Sequence, residues 1–203
     1  KGLMGAVFMN QALNTYFGSG KMDVDNTTAV DAGDGKHYTE MEHHWDEAFG
    51  YFGVAADFPT NTTDVRFWGK YCNSRDAQLG SNAAMMNAFL TGRTAIINND
   101  YPGRDAQILA ARQMWEKVCA AQAVNYLTQA SDNFGTDTGK FLHVMSEAYI
   151  FIKCLVYTPL ETRVITNAQI DNLLDNTIGD NLWNVTAIDI TTAINELETI
   201  YGF

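Results

Sequence analysis

Apolar residues recur at steps of three and four along most of this chain, and runs that alternate apolar with polar positions are absent. The spacing predicts helices over 2–18, from Thr39 to about 53, over 79–98, 104–130, 139–157, 166–177 and 186–201. The strongest is 104–130, where Ile108, Ala111, Trp115, Val118, Gln122 and Tyr126 fall on one face. The last helix carries the stripe Ile190, Ile194, Leu197, Tyr201. The expected fold class is all-α, a helical bundle.

Polar punctuation sets the boundaries. Thr39-Glu40-Met41-Glu42 is a capping-box pattern, in which the threonine hydroxyl takes the amide three residues on and the glutamate reaches back. Pro59 and the surrounding Asn-Thr-Thr-Asp run predict a break, and Arg66-Phe67-Trp68-Gly69-Lys70-Tyr71 an irregular connector. Tyr101-Pro102-Gly103 reads as a turn, and Pro159 stops the helix before it. The loop 19–38 is acidic, but its Asp23-x-Asp25-x-Thr27 start lacks the glycine and later ligands of a calcium-binding EF-hand.

Composition narrows the function. The formal net charge is -11, with 13 Lys plus Arg against 24 Asp plus Glu and no basic cluster, so nucleic acid is excluded as the expected partner. The same field concentrates cations. Three cysteines without paired spacing make no disulfide framework; Cys119 and Cys154 sit on apolar helix faces as small core residues. No apolar run is long enough to span a bilayer. The chain opens on Lys1 with residues already patterned as helix, so an upstream segment carrying any targeting signal is expected.

The candidate chemistry lies in an internal match. His43-His44-Trp45-Asp46-Glu47-Ala48-Phe49 aligns with His143-Val144-Met145-Ser146-Glu147-Ala148-Tyr149, both His-x-x-x-Glu-Ala-aromatic. The helices before them match as well: Val7-x-x-x-Gln11-Ala12-Leu13-Asn14 and Val118-x-x-x-Gln122-Ala123-Val124-Asn125. The expected domain is therefore one bundle, 1–203, of two duplicated hairpins plus C-terminal helices. Repeat 1 covers about 2–53, a connector and helix 54–103, repeat 2 about 104–157, and the C-terminal helices 158–203. Residues four apart share a helix face. A shared interface would bring His43, Glu47, His143 and Glu147 together as a nitrogen–oxygen metal site for zinc or iron. His44, Asp46 and Ser146 are the candidate supporting or alternative ligands. The competing expectation is that each His/Glu pair is a buried polar pin between helices.

The segments HHWDEAFGYFG, FWGKY and FLHVMSEAYIFI resemble an uncharacterised group of Gram-negative cell-envelope proteins, many of them predicted lipoproteins. More distantly the chain is similar to the imelysin-like proteins, helical, duplicated and iron-linked, with the hallmark Gly-x-His-x-x-Glu. Here His44-x-x-Glu47 matches the end of that hallmark, with Glu42 in place of the glycine, so this resemblance selects His44 where the internal match selects His43. It implies an exported protein, periplasmic or cell-surface, lipid-anchored through the upstream segment.

Three functions follow. The first is metal binding or acquisition in the cell envelope, iron-related, with no cofactor beyond that ion. The second is a non-enzymatic binding module engaging an envelope partner or small ligand through Arg66, Phe67, Trp68 and Tyr71. The third, a hydrolase with Glu47 as base to a metal-bound water, is weak, because His-Glu-x-x-His, a nucleophile elbow and phosphate-binding glycine loops are all missing.

Overall fold

The computed structural model describes residues 1–203. Helix α1 runs through two π-type stretches, Met4–Met9 and Gln11–Tyr16, and the four-residue α2, Ser19–Met22, follows. A small antiparallel hairpin, β1 (Ala29–Asp31) and β2 (Lys36–Thr39), leads into α3 (Glu40–Phe52). Then come α4 (Phe67–Leu79), α5 (Ser81–Ile97), α6 (Tyr101–Asn133) and α7 (Thr138–Cys154). Helix α8 starts at Asn167–Asp171 and continues as a π-type turn, Asn172–Ile178; α9 is Ala187–Tyr201.

The all-α expectation holds, with three corrections, the first being that Tyr101-Pro102-Gly103, read as a turn, is the opening turn of α6. The stretch read as an irregular connector is α4, which buries Trp68, Tyr71 and Cys72 at helical spacing. The hairpin was not expected at all, because strands of three and four residues are too short to display an alternating pattern.

Helix α6 is the spine. It packs along α5, α7 and α9, and more lightly on α4. Its expected face is buried at Ile108, Ala111, Trp115, Val118 and Gln122, while Tyr126 is half-buried. Around Trp115 the rings of Phe52 and Trp68 meet edge to face at centroid distances of 5.0 and 6.0 Å, an arrangement that aromatic quadrupoles favour. Helix α1 lies across the bundle and touches α3, α4 and α7.

Close approach of α3 to α5 depends on Gly92. A Cβ at that position would run into the ring of Trp45, whose indole N–H donates to the Phe89 carbonyl at 3.0 Å. The start of α3 is fixed equally firmly. Thr39 accepts the Glu42 amide, Glu42 accepts the Thr39 amide at 2.8 Å, and the Thr39 hydroxyl donates to Asn26, itself bonded to the Ile96 carbonyl. The capping box thus sets the register of α3 against α5, and with it the direction of each polar side chain on α3.

Candidate functional site

The polar side chains of α3 divide between two directions. Glu42 and Asp46 point to α5, where Arg93 donates to them at 2.6 and 3.0 Å. Asp46 is therefore engaged by an arginine rather than by the histidines it was expected to support. His43, His44, Glu47 and Tyr51 belong to another side. Residues 43, 47 and 51 form one i, i+4, i+8 row along the helix.

Both histidines converge on Glu47. The Nδ1 atom of His44 lies 3.2 Å from Oε2, and the Nε2 atom of His43 lies 3.6 Å from Oε1. The two sequence patterns that selected different histidines thus meet at one carboxylate. Their surroundings differ. His44 is 6 % exposed, and its ring centroid is 6.0 Å from that of Tyr16. His43 is exposed and stacks on Tyr38 at a centroid distance of 5.4 Å. The other ring nitrogen of His44 is buried without a hydrogen-bond partner, 3.5 Å from Oε1 of Glu40.

Two tyrosines close the group. The Tyr16 hydroxyl, from α1, faces the Glu47 carboxylate and the Tyr51 hydroxyl; burial first, then the nearby carboxylate, raises its pKa. The Tyr16 and Tyr51 rings are 5.5 Å apart. Tyr51 was legible in principle, one turn beyond Glu47. Tyr16 carried no signal, since its approach depends on how α1 crosses α3.

The second motif is built differently. His143 is exposed and makes no ion pair with Glu147; the Ser146 hydroxyl donates to the His143 carbonyl within the same turn. Glu147 instead faces the Lys1 ammonium at 3.6 Å and the Tyr126 phenol, whose pKa burial and this carboxylate raise. Helices α3 and α7 share no extended contact, so His43 and Glu47 are not brought together with His143 and Glu147. No group of three or more His, Cys, Asp or Glu side chains is placed so that it could hold a metal ion.

Of the four expected partner-contact residues, two are interior and two are exposed. Trp68 is fully buried and its indole N–H donates to the Met4 carbonyl at 2.7 Å. Tyr71 is buried against Phe151, with the Lys1 ammonium 5.5 Å from its ring centre. Arg66 is exposed beside Asp64, and Phe67, partly exposed, stacks on Phe8 at 4.2 Å.

A polar cleft of about 600 Å³, lined by Asn14, Thr15, Lys21, Arg112 and Glu161 among others, opens elsewhere. Its guanidinium is already engaged. Arg112 donates to the Leu13 and Phe17 carbonyls and to Glu161, which closes the C-terminal end of α1.

No helix is long and apolar enough to cross a membrane. Fold and sequence together define an all-helical bundle domain with one compact His/Glu/Tyr group on its surface. Over its full length, residues 1–203, the chain matches a family described as a domain of unknown function, DUF4856, and it belongs to that family. Neither a curated protein nor a solved structure matches it.

Proposed function

We propose that this is a metal-binding, non-catalytic domain of an exported cell-envelope protein, and that Glu47 is the residue on which the ion is held. One observation carries the reading: each oxygen of a single carboxylate is faced by a different imidazole nitrogen, at 3.2 and 3.6 Å. Two donors that share an ion at about 2.1 Å each stand roughly 3–3.5 Å apart, a spacing that the 3.2 Å pair meets and the 3.6 Å pair slightly exceeds. Glu47 and His43 are both solvent-accessible and can rotate to close around a cation. The unpartnered nitrogen of His44 fits as well. A ligating imidazole ordinarily directs its second ring N–H at a carboxylate, and Glu40 stands in that place.

The net charge of -11 favours cation capture, and the resemblance to envelope and imelysin-like proteins supports the exported location and the link to iron. Catalysis draws no support from the thiols, which are all buried with raised pKa values. His143 and Glu147 are outside the proposed site.

A second reading, that the His44–Glu47 pair only pins α3 against α1, is favoured by the burial of His44. Calorimetric titration of the chelator-stripped domain with Zn²⁺ and with a ferric chelate separates the two. Metal binding predicts one equivalent taken up by the wild type, none by Glu47→Gln, and unchanged uptake by Glu147→Gln. No uptake by a folded wild type, or equal loss in both variants, overturns it.

A further inference from the structure

The polar cleft at Arg112 continues along α6. A second hollow of about 360 Å³ shares Phe17, Ser19 and Arg112 with it, and a third of about 310 Å³ shares Met22, Asp23 and Arg104 with the second. Together they form one trench, whose wall is a single face of α6 made by Tyr101, Arg104, Asp105, Ile108, Leu109 and Arg112. At the helical rise this face is about 16 Å long, which suits a short oligomer better than one small molecule. We infer that the trench is a binding site for a short, neutral oligosaccharide. The inference does not depend on a metal at Glu47.

The charges in the trench disfavour an ionic ligand. Lys21, Arg104 and Arg112 stand among three carboxylates, Asp23, Asp105 and Glu161, a local balance in a protein whose net charge is -11. Both guanidiniums are engaged. Arg104 donates to the Met22 carbonyl and to Asp105 at 2.8 Å, and Arg112 donates to the Leu13 and Phe17 carbonyls and to Glu161 at 3.2 Å. Neither is free to clamp a phosphate or a carboxylate, and the adjoining acids repel one. A cation meets acids that the arginines already neutralise.

The trench offers fixed hydrogen-bond acceptors instead. Arg104 holds one oxygen of Asp105 and Arg112 one oxygen of Glu161, while each carboxylate, more than half exposed, keeps a second oxygen without a protein partner. A sugar hydroxyl donating to such an oxygen makes a charge-assisted bond whose direction the guanidinium sets beforehand. Thr15 and Ser19 add hydroxyls at the Arg112 end.

Apolar surface lies between these polar groups. Ile108 and Leu109 line the middle, Leu109 with 42 % of its surface exposed. At the far end Tyr101, 39 % exposed, is held by the Arg104 guanidinium 5.1 Å from its ring centre and by its hydroxyl, which donates to Asn99 at 3.2 Å. A pyranose has C–H faces as well as hydroxyl edges, and a restrained, partly exposed aromatic ring suits such a face. A peptide of the same length fits less well, since no strand edge lines the trench to pair with its backbone.

The test maps amide shifts in the nitrogen-15-labelled 203-residue domain during separate titrations with maltotetraose, cellotetraose, xylotetraose and chitotetraose. Tetragalacturonate and an end-blocked glycine–serine tetrapeptide are the charged and peptide comparisons. At least one neutral sugar should move the amides of 101–112 together with those of 14–23, saturably and more strongly than either comparison. Tyr101→Ala should weaken that sugar on the order of tenfold. Trp183→Ala, which removes the most exposed aromatic side chain of the molecule, should leave its affinity unchanged. Trench amides that stay still with all four neutral sugars, or shifts confined to the surroundings of Trp183, overturn the assignment. So does a trench that answers only to tetragalacturonate or only to the peptide. The mapping uses the wild type, so it decides the question even if Tyr101→Ala impairs folding.

Discussion

The Nδ1 atom of His44 sits 3.2 Å from Oε2 of Glu47, inside the bundle, while the adjacent His43 reaches the other oxygen from outside. The two imidazoles thus address one carboxylate from different environments, and their removal should have different costs. His44→Ala leaves a hole between Tyr16 and α3 and should destabilise the fold by about 2 kcal/mol. His43→Ala removes only a surface stack on Tyr38 and should cost about 0.5 kcal/mol or less. Urea unfolding of the two metal-free variants measures the difference; equal costs would place both rings in the same environment.

Glu116 is a fully buried carboxylate on α6 that joins three parts of the fold. It accepts the Val164 amide at 2.9 Å, the Ile165 amide at 3.3 Å and the Tyr201 hydroxyl at 2.8 Å. Glu116→Ala strands these donors and should cost about 3 kcal/mol or more. Burial raises its pKa despite those bonds, from an ordinary value of 4.5. A carboxyl that holds its proton more tightly when folded favours the folded state below the unfolded pKa, and that contribution fades as pH rises through the folded pKa. Thermal melts across this range should show Glu116→Gln gaining on the wild type as pH rises from about 4 toward neutrality. Parallel melting curves at every pH would contradict the assignment.

Gly92→Ala forces a methyl group into the ring of Trp45. Overpacking of this kind costs about 1–3 kcal/mol, and here it also strains the bond from the indole to Phe89. Denaturant midpoints check the loss, and Trp45 fluorescence should shift in the folded variant.

All three thiols are buried and free, and burial holds Cys72 up at about 12 and Cys154 at about 11, with Cys119 also well above its ordinary value. A thiol-disulfide reagent at neutral pH should therefore leave the native protein unlabelled and react with three equivalents after denaturation. Rapid labelling of native protein would show that the interior opens.

Helix identity was legible wherever a long apolar stripe or a cap marked it. The capping box at Thr39 placed α3 correctly, and the six-residue face of α6 is largely the buried one. Helix α4 was hidden because no side chain caps its start and its aromatic residues obscure the spacing. The site was half legible. Glu47 with its two histidines lies within one helical turn, which sequence spacing can report. Partners from elsewhere in the fold cannot be read that way: Tyr16 reaches Glu47 through the crossing of α1 and α3, and Lys1 reaches Glu147 across the length of the chain. A matched His-x-x-x-Glu pattern fixes helix faces, but the packing of neighbouring helices decides what those faces meet.

Nitrogen-15 NMR of histidine-labelled protein, titrated with Ga³⁺ as a diamagnetic substitute for ferric iron, asks most directly which side chains hold the ion. Coordination at Glu47 should move the Nε2 resonance of His43 and the Nδ1 resonance of His44 together, at one equivalent, with His37 and His143 unmoved. Movement of His143, or four unchanged imidazoles in the presence of bound gallium, would contradict a site centred on that carboxylate.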